Sequence, residues 1–305
     1  MGARDQRGHG SVSGRHGRGD DCGLVRRSAQ GGARPGQGRQ QGAAEEGDGR
    51  ALVAAALRLA FPFVVTALAW QAFSLWGPFP PKLFPGVDKI IAAFVRLTLN
   101  GILPLHAATT MLRLLIGFTI GAVAGVAIGM AMGRSRRAEE LFLPVVSIGN
   151  PIPGLAYAPL FVIWFGLGDL PAVLLVGFAA SFPIAVNTWT GVKTVKEIWI
   201  RAARSLGAGD RQLFRSVVLP GALPYILTGL RLGLARAWRV LVAVEMLMSV
   251  SVGLGWLIFG AREFLATDVM LAGIAVIGLV GLGLEKLVFE PLERFTVVRW
   301  GMLTR

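Results

Sequence analysis

Apolar runs long enough to cross a bilayer recur along this chain, and they leave few folds open to it. A hydrocarbon core about 30 Å thick takes about 20 apolar residues in a helix, and only helices or closed barrels satisfy the backbone there. Stretches of that length with few charges fall at residues 51–76, 107–132, 141–165, 170–190, 221–250 and 268–289. They predict an all-α integral membrane protein with about six transmembrane helices. The composition agrees: 53% of the 305 residues are hydrophobic and only 16% charged, a balance rare in a soluble domain of this length.

The net charge of +13 would point a soluble protein toward nucleic acid, but its distribution points to a membrane instead. Basic residues sit in the stretch 1–50 and in short segments between the apolar runs. Arg134, Arg136 and Arg137 occupy the segment 133–140; Lys193, Lys196, Arg201, Arg204, Arg211 and Arg215 occupy 191–220. The alternate segments hold only Lys82, Lys89, Arg96 and Arg262. An even number of spans with both termini in the cytoplasm satisfies the positive-inside rule. No nucleic-acid partner is expected; membrane lipid is. The lone cysteine, Cys22, excludes an internal disulfide, and His9, His16 and His106 are too scattered for a metal site.

Residues 1–50 are rich in Gly, Arg and Gln and lack Phe, Trp and Tyr, so they predict a disordered tail. A transmembrane domain over 51–290 and a short cytoplasmic tail over 291–305 complete the chain. Pro78, Pro80, Pro81 and Pro85 break any helix after the first run, and 87–99 has the apolar spacing of a short helix on the outer surface. Gly117, Gly121, Gly125 and Gly129 recur every four residues, so they line one helix face where a second backbone can approach. The third and fourth spans form a hairpin turning at 166–169.

A charge inside an apolar span costs about 2.5 kcal/mol or more at the centre, so each one calls for an explanation. Glu245 lies in the fifth run, and Arg231, Trp238 and Glu245 are spaced by seven residues, on one helix face, with Arg236 and Arg239 nearby. That face either lines a translocation path or gate, or carries a structural ion pair. Asn150, Pro151 and Pro153 interrupt the third run, with Tyr157 just beyond; the freed backbone groups need other helices or a water-filled cavity. Arg113, early in the second run, fits a snorkelling or buried structural residue. Gly253 to Gly255 with Trp256 fits a re-entrant outer gate or an interfacial loop. No catalytic constellation and no phosphate-binding Gly-rich loop appear, so no enzyme activity and no bound cofactor are expected of this chain.

The segment 194–220 is too polar to enter the bilayer. Val195, Ile198, Trp199, Ala202, Ala203 and Leu206 recur at helical spacing, and Gly207 stands where a left-handed cap is wanted. Asp210 is placed to cap a second short helix bearing Leu213, Phe214 and Val217, which Pro220 ends. A cytoplasmic helix pair of this kind fits the groove of a soluble partner or the anionic inner leaflet. The pattern alone leaves both open.

Arg201-Ala202-Ala203, then Gly207 after three residues, then Val217 and Leu219-Pro220 after nine more, resembles the loop signature of binding-protein-dependent ABC transporter permeases: Glu-Ala-Ala, three residues, Gly, nine residues, Ile, one residue, Leu-Pro. Arg201 stands where Glu is usual, so any contact of that Glu does not carry over; Val217 replaces Ile conservatively. Asn150-Pro151-Ile152-Pro153, Ala158-Pro159-Leu160, Trp164 to Gly168 and Gly229-Leu230-Arg231 resemble the branch importing nitrate, aliphatic sulfonates and taurine. The resemblance implies a permease in the bacterial cytoplasmic membrane, working as a homodimer that receives a small anionic solute from a periplasmic or lipoprotein binding protein. It implies that Ala202, Ala203, Gly207, Leu219 and Pro220 shape a helix docking on a separate ATP-binding subunit, which carries the ATP and Mg. The alternatives are an ATPase-independent secondary carrier, which would show inverted halves, and a membrane enzyme or scaffold.

Overall fold

The computed structural model describes residues 60–248 and 250–289, with isolated positions 58 and 291. The expected tail at 1–50, the start of the first expected span and nearly all of the expected tail at 291–305 lie outside the described residues. The chain divides into two units, Met1–Pro62 and Phe63–Arg305, and the site described below lies in the second.

Every element among the described residues is helical, as expected. In order they are α1 (Ala60–Trp76), α2 (Val87–Leu99), α3 (Ile102–Arg134), α4 (Arg136–Gly149), a single 3-10 turn (Gly154–Tyr157), α5 (Ala158–Phe165), α6 (Asp169–Lys193), α7 (Glu197–Ser205), α8 (Asp210–Leu213), α9 (Leu219–Leu247), α10 (Leu254–Glu263) and α11 (Thr267–Gly283). Among the described residues, four helical stretches are long and apolar enough to cross a membrane: α3, α6, Asp210–Leu247 and Thr267–Leu287. The pair α4 and Gly154–Phe165 passes the same test as one span bent by 101°, and α1 is a shorter apolar helix.

The third expected span, 141–165, is interrupted at its prolines, as expected: Pro151 and Pro153 withdraw backbone donors, and the chain turns between α4 and α5. Three other expectations need correction. The expected loop at 133–140 shrinks to Ser135, whose Oγ accepts the Ala138 N–H at 3.4 Å and starts α4. Pro220, expected to end a short helix, instead lies in the first turn of α9, because α8 runs through a π-helical turn, Phe214–Val218, into it. The widened turn just before Pro220 removes the demand for the N–H that proline lacks. Asp210 is accordingly the first helical residue rather than a cap; Gly209 occupies that position.

α6 is the central helix, the most buried of the four candidate spans. The glycine stripe of α3 explains how it is reached. A Cβ added at Gly117, Gly121, Gly125 or Gly129 would lie 2.7, 2.3, 2.7 or 2.6 Å from the carbonyl oxygens of Val173, Gly177, Ser181 and Ala185, all on α6. The two backbones are therefore in contact along their length, as the four-residue period predicts. α9 packs on α6 through Gly229 and Gly233, which abut Ile184. Gly121→Ala should lower the stability of the detergent-solubilised protein by about 1–3 kcal/mol in thermal unfolding, whereas Gly260→Ala, where a Cβ meets nothing within 4 Å, should leave it unchanged or slightly raised.

Candidate functional site

Three groups of residues converge around α9. At the end of α9 that meets Val252 to Gly255, Glu245 is fully buried. Its Oε1 accepts from Nη1 of Arg113 at 2.8 Å, and its Oε2 accepts from the Gly255 N–H at 3.0 Å. The Thr110 hydroxyl reaches the same carboxylate at 2.9 and 3.0 Å and accepts the Leu254 N–H at 2.9 Å. Arg113 Nη1 also donates to the Val252 carbonyl at 2.5 Å, and its Nε and Nη2 donate to Asp169 Oδ1 at 3.0 and 2.6 Å. His106 Nδ1 sits 2.7 Å from the Gly253 carbonyl and 3.0 Å from the Gly253 N–H, bonding one or the other according to its tautomer.

This cluster works as a clasp. It joins α3, the first residue of α6, the end of α9 and the segment 252–255 through charge-assisted bonds, buried at Glu245 and Arg113 and exposed at Asp169. The Gly-Leu-Gly sequence follows from it: a Cβ on Gly253 would lie 2.6 Å from the Glu245 carboxyl carbon, and one on Gly255 would lie 2.3 Å from the Val242 carbonyl oxygen. Breaking one partner of such a pair leaves an uncompensated buried charge, at a cost of about 3–5 kcal/mol. Arg113→Leu and Glu245→Leu should each destabilise the protein by that order, and the double substitution should cost much less than their sum. Additive losses in thermal unfolding would show that the two side chains do not act as a pair.

The second group mends the broken span. Arg236 donates from Nη1 to Asn150 Oδ1 at 2.9 Å and from Nη2 to the carbonyls of Asn150 and Ile152 at 2.6 and 2.7 Å. One guanidinium thus serves two carbonyl groups at the break between α4 and the 3-10 turn. Gly154 seats this turn against Val240 and Ala179, near the middle of α6. Tyr157 packs edge-on against Phe178, centroids 5.0 Å apart. A cavity of about 500 Å³ opens here, lined by Pro153, Pro183, Arg236, Arg239 and Val240 among others.

The third group lies on the neighbouring side of α9. Arg231 pairs with Glu285. Both line a cavity of about 400 Å³ with Trp238, Arg239 and Gly281. The seven-residue spacing therefore brings Arg231 and Trp238 together but carries Glu245 elsewhere, into the clasp. Thr110, Asp169, Gly253, Gly255 and Glu285 were not singled out as partners of these charges. The one available signal was the pair of opposite charges, Arg113 and Glu245, in otherwise apolar runs.

The loop between α6 and α9 has its own geometry. α7 ends in a Schellman motif: Gly207 has φ +83°, its N–H bonds the Arg204 carbonyl at 2.9 Å, and the Ala208 N–H bonds the Ala203 carbonyl at 3.0 Å. A Cβ at Gly207 would meet nothing within 4 Å, so backbone conformation alone demands glycine there. Ile198, Trp199 and Leu206 are exposed. Ala202 is also exposed, Ala203 half-buried, and Arg201 bonds Glu197 one turn back at 2.7 Å. Leu219 and Pro220 are half-buried where the loop enters α9. Arg134, at the end of α3, stacks over Phe214 at 4.4 Å and ties the loop to the helical body.

Residues 117–288 match the model of the binding-protein-dependent transport system inner membrane component. The chain belongs to this family. Its matched region includes the loop, the broken span and the clasp residues Asp169, Glu245, Gly253 and Gly255. Among relatives, the chain is 46% identical over 180 residues to the taurine transport system permease protein TauC of Escherichia coli (strain K12), covering 59% of this chain and 65% of that one, just under two thirds of its length. It is 36% identical over 231 residues to the putative aliphatic sulfonates transport permease protein SsuC of the same organism, covering 76% and 87%. It is 31% identical over 230 residues to the bicarbonate transport system permease protein CmpB of Synechococcus elongatus, covering 72% and 82%. The permease is therefore a multi-pass inner-membrane component of a transport system.

Proposed function

We propose that this permease is the membrane-spanning subunit of an ABC importer for a small anionic solute of the taurine, sulfonate, nitrate or bicarbonate type. ATP, with its Mg, is bound and hydrolysed on a separate subunit that grips α7 and the turn at Gly207. Six spans with both termini in the cytoplasm put that loop on the ATPase side, in a bacterial cytoplasmic membrane. Two copies pair so that their α9 faces enclose a route neither encloses alone, and a binding protein delivers solute at the outer face.

The observation that carries this reading is the uncovered apolar side of α7 in a chain of this family. Ile198, Trp199 and Leu206 are 69%, 51% and 88% exposed, on a helix fixed by a Schellman cap, which suits a groove in a soluble partner. Arg201, spent on Glu197, leaves the recognition to Ala202, Ala203 and this apolar side. The solute class rests on the relatives, permeases of taurine, aliphatic sulfonate and bicarbonate transport systems. ATP-driven taurine uptake by proteoliposomes holding the full complex should fall about tenfold or more in Gly207→Glu, since a left-handed non-glycine residue costs about 1–2 kcal/mol. Membrane insertion should be unaffected. Wild-type uptake in that variant, or a wild-type chain that never retains an ATPase in mild detergent, would contradict docking through this turn.

A further inference from the structure

We infer that Arg239 is an anion-binding station partway through the membrane, with Arg236 fixed behind it, and that its ligand is a small oxyanion carrying a sulfonate or carboxylate-like group. The inference deepens the importer reading, on which it rests for the direction of solute movement, and stands otherwise on the placement of charges along α9.

Four cations occupy the membrane-depth clusters described above, and three of them are accounted for. Arg113 is held by Glu245 and Asp169. Arg231 is paired with Glu285. Arg236 is bonded to Asn150 and Ile152. Arg239 differs from all three. Its Nε donates only to the Ala235 carbonyl of its own helix, at 3.0 Å, and among the described residues it makes no salt bridge. It is exposed, and it lines both cavities flanking α9. Its neighbour Val240 packs against Gly154 beside Ala179, so Arg239 leaves α9 about level with the middle of α6, itself a candidate span. A cation left at such depth costs about 2.5 kcal/mol or more. It is retained where a water-filled space or a passing anion compensates it.

The surroundings select the anion. Of the carboxylates near α9, Glu245 is consumed by the clasp and Glu285 by Arg231, so neither competes for Arg239. Arg236 cannot swing toward a solute without abandoning the carbonyls of the broken span; it adds positive potential from a fixed position. A free guanidinium edge offers parallel donors that match two oxygens of a sulfonate, bicarbonate or nitrate. The cavities of about 400 and 500 Å³ hold such a group with water to spare.

The test uses the full-length chain in detergent, treated with the arginine reagent phenylglyoxal and read residue by residue by peptide mass spectrometry. Saturating methanesulfonate should slow modification of Arg239 about tenfold, while the neutral isostere dimethyl sulfone should not. Arg262, exposed on α10 and stacked on Phe259, serves as the control and should react equally under both conditions. No protection at Arg239, or equal protection at Arg262, overturns the inference. Because the readout needs neither ATPase nor transport, its failure is separate from failure of the importer reading, which shows as a chain that retains no ATPase.

Discussion

Where no water reaches, a charge or a freed carbonyl has to be met by another part of the chain, and this constraint organises the permease around α9. Glu245 and Arg113, each costly alone, become a clasp because Thr110, Asp169, the Gly255 N–H and the Val252 carbonyl complete their shells. The same rule governs the broken third span. Two prolines and a 101° turn leave carbonyls at Asn150 and Ile152 that would be untenable in hydrocarbon, and Arg236 is the device that meets them. The bent span thus depends on a side chain from a helix distant in sequence.

Close approach of helices supplies the frame on which these charges are hung. α3 and α6 touch backbone to backbone because four glycines present no Cβ, and this places Arg113 beside Asp169. Without that contact the guanidinium would not reach both the start of α6 and the end of α9. The glycines of 253–255 repeat the strategy on a smaller scale, letting the main chain lie against the Glu245 carboxylate.

Much of this was legible in the sequence. Apolar runs announced the helices, the four-residue glycine period announced the α3–α6 contact, and Gly207 announced its cap. What stayed hidden depended on partners far apart in the chain. The sevenfold spacing of Arg231, Trp238 and Glu245 correctly aligned them on a helix, but α9 is long enough for its two ends to meet different neighbours. Glu245 therefore faces Arg113, while Arg231 faces Glu285. The continuity of α8 into α9 was hidden because a proline usually ends a helix, and the π-helical turn that relieves it leaves no simple signature. Arg201, the departure from the family's loop signature, proves locally satisfied by Glu197, so the loop fold does not need the usual Glu.

The clasp, the mended span and the paired Arg231 leave one side of α9 exposed, bearing Ala235 and Arg239, and this is the side proposed to line the solute's route. Whether that side meets water or lipid is the central question, and cysteine accessibility answers it most directly. In a Cys22→Ser background, Ala235→Cys and the fully buried Ala237→Cys would be exposed in membranes to a charged, membrane-impermeant methanethiosulfonate reagent. Rapid modification at 235 with none at 237 is the predicted result. A cysteine at 235 that resists the charged reagent yet reacts with a lipid-soluble maleimide would place this side against lipid and contradict the account.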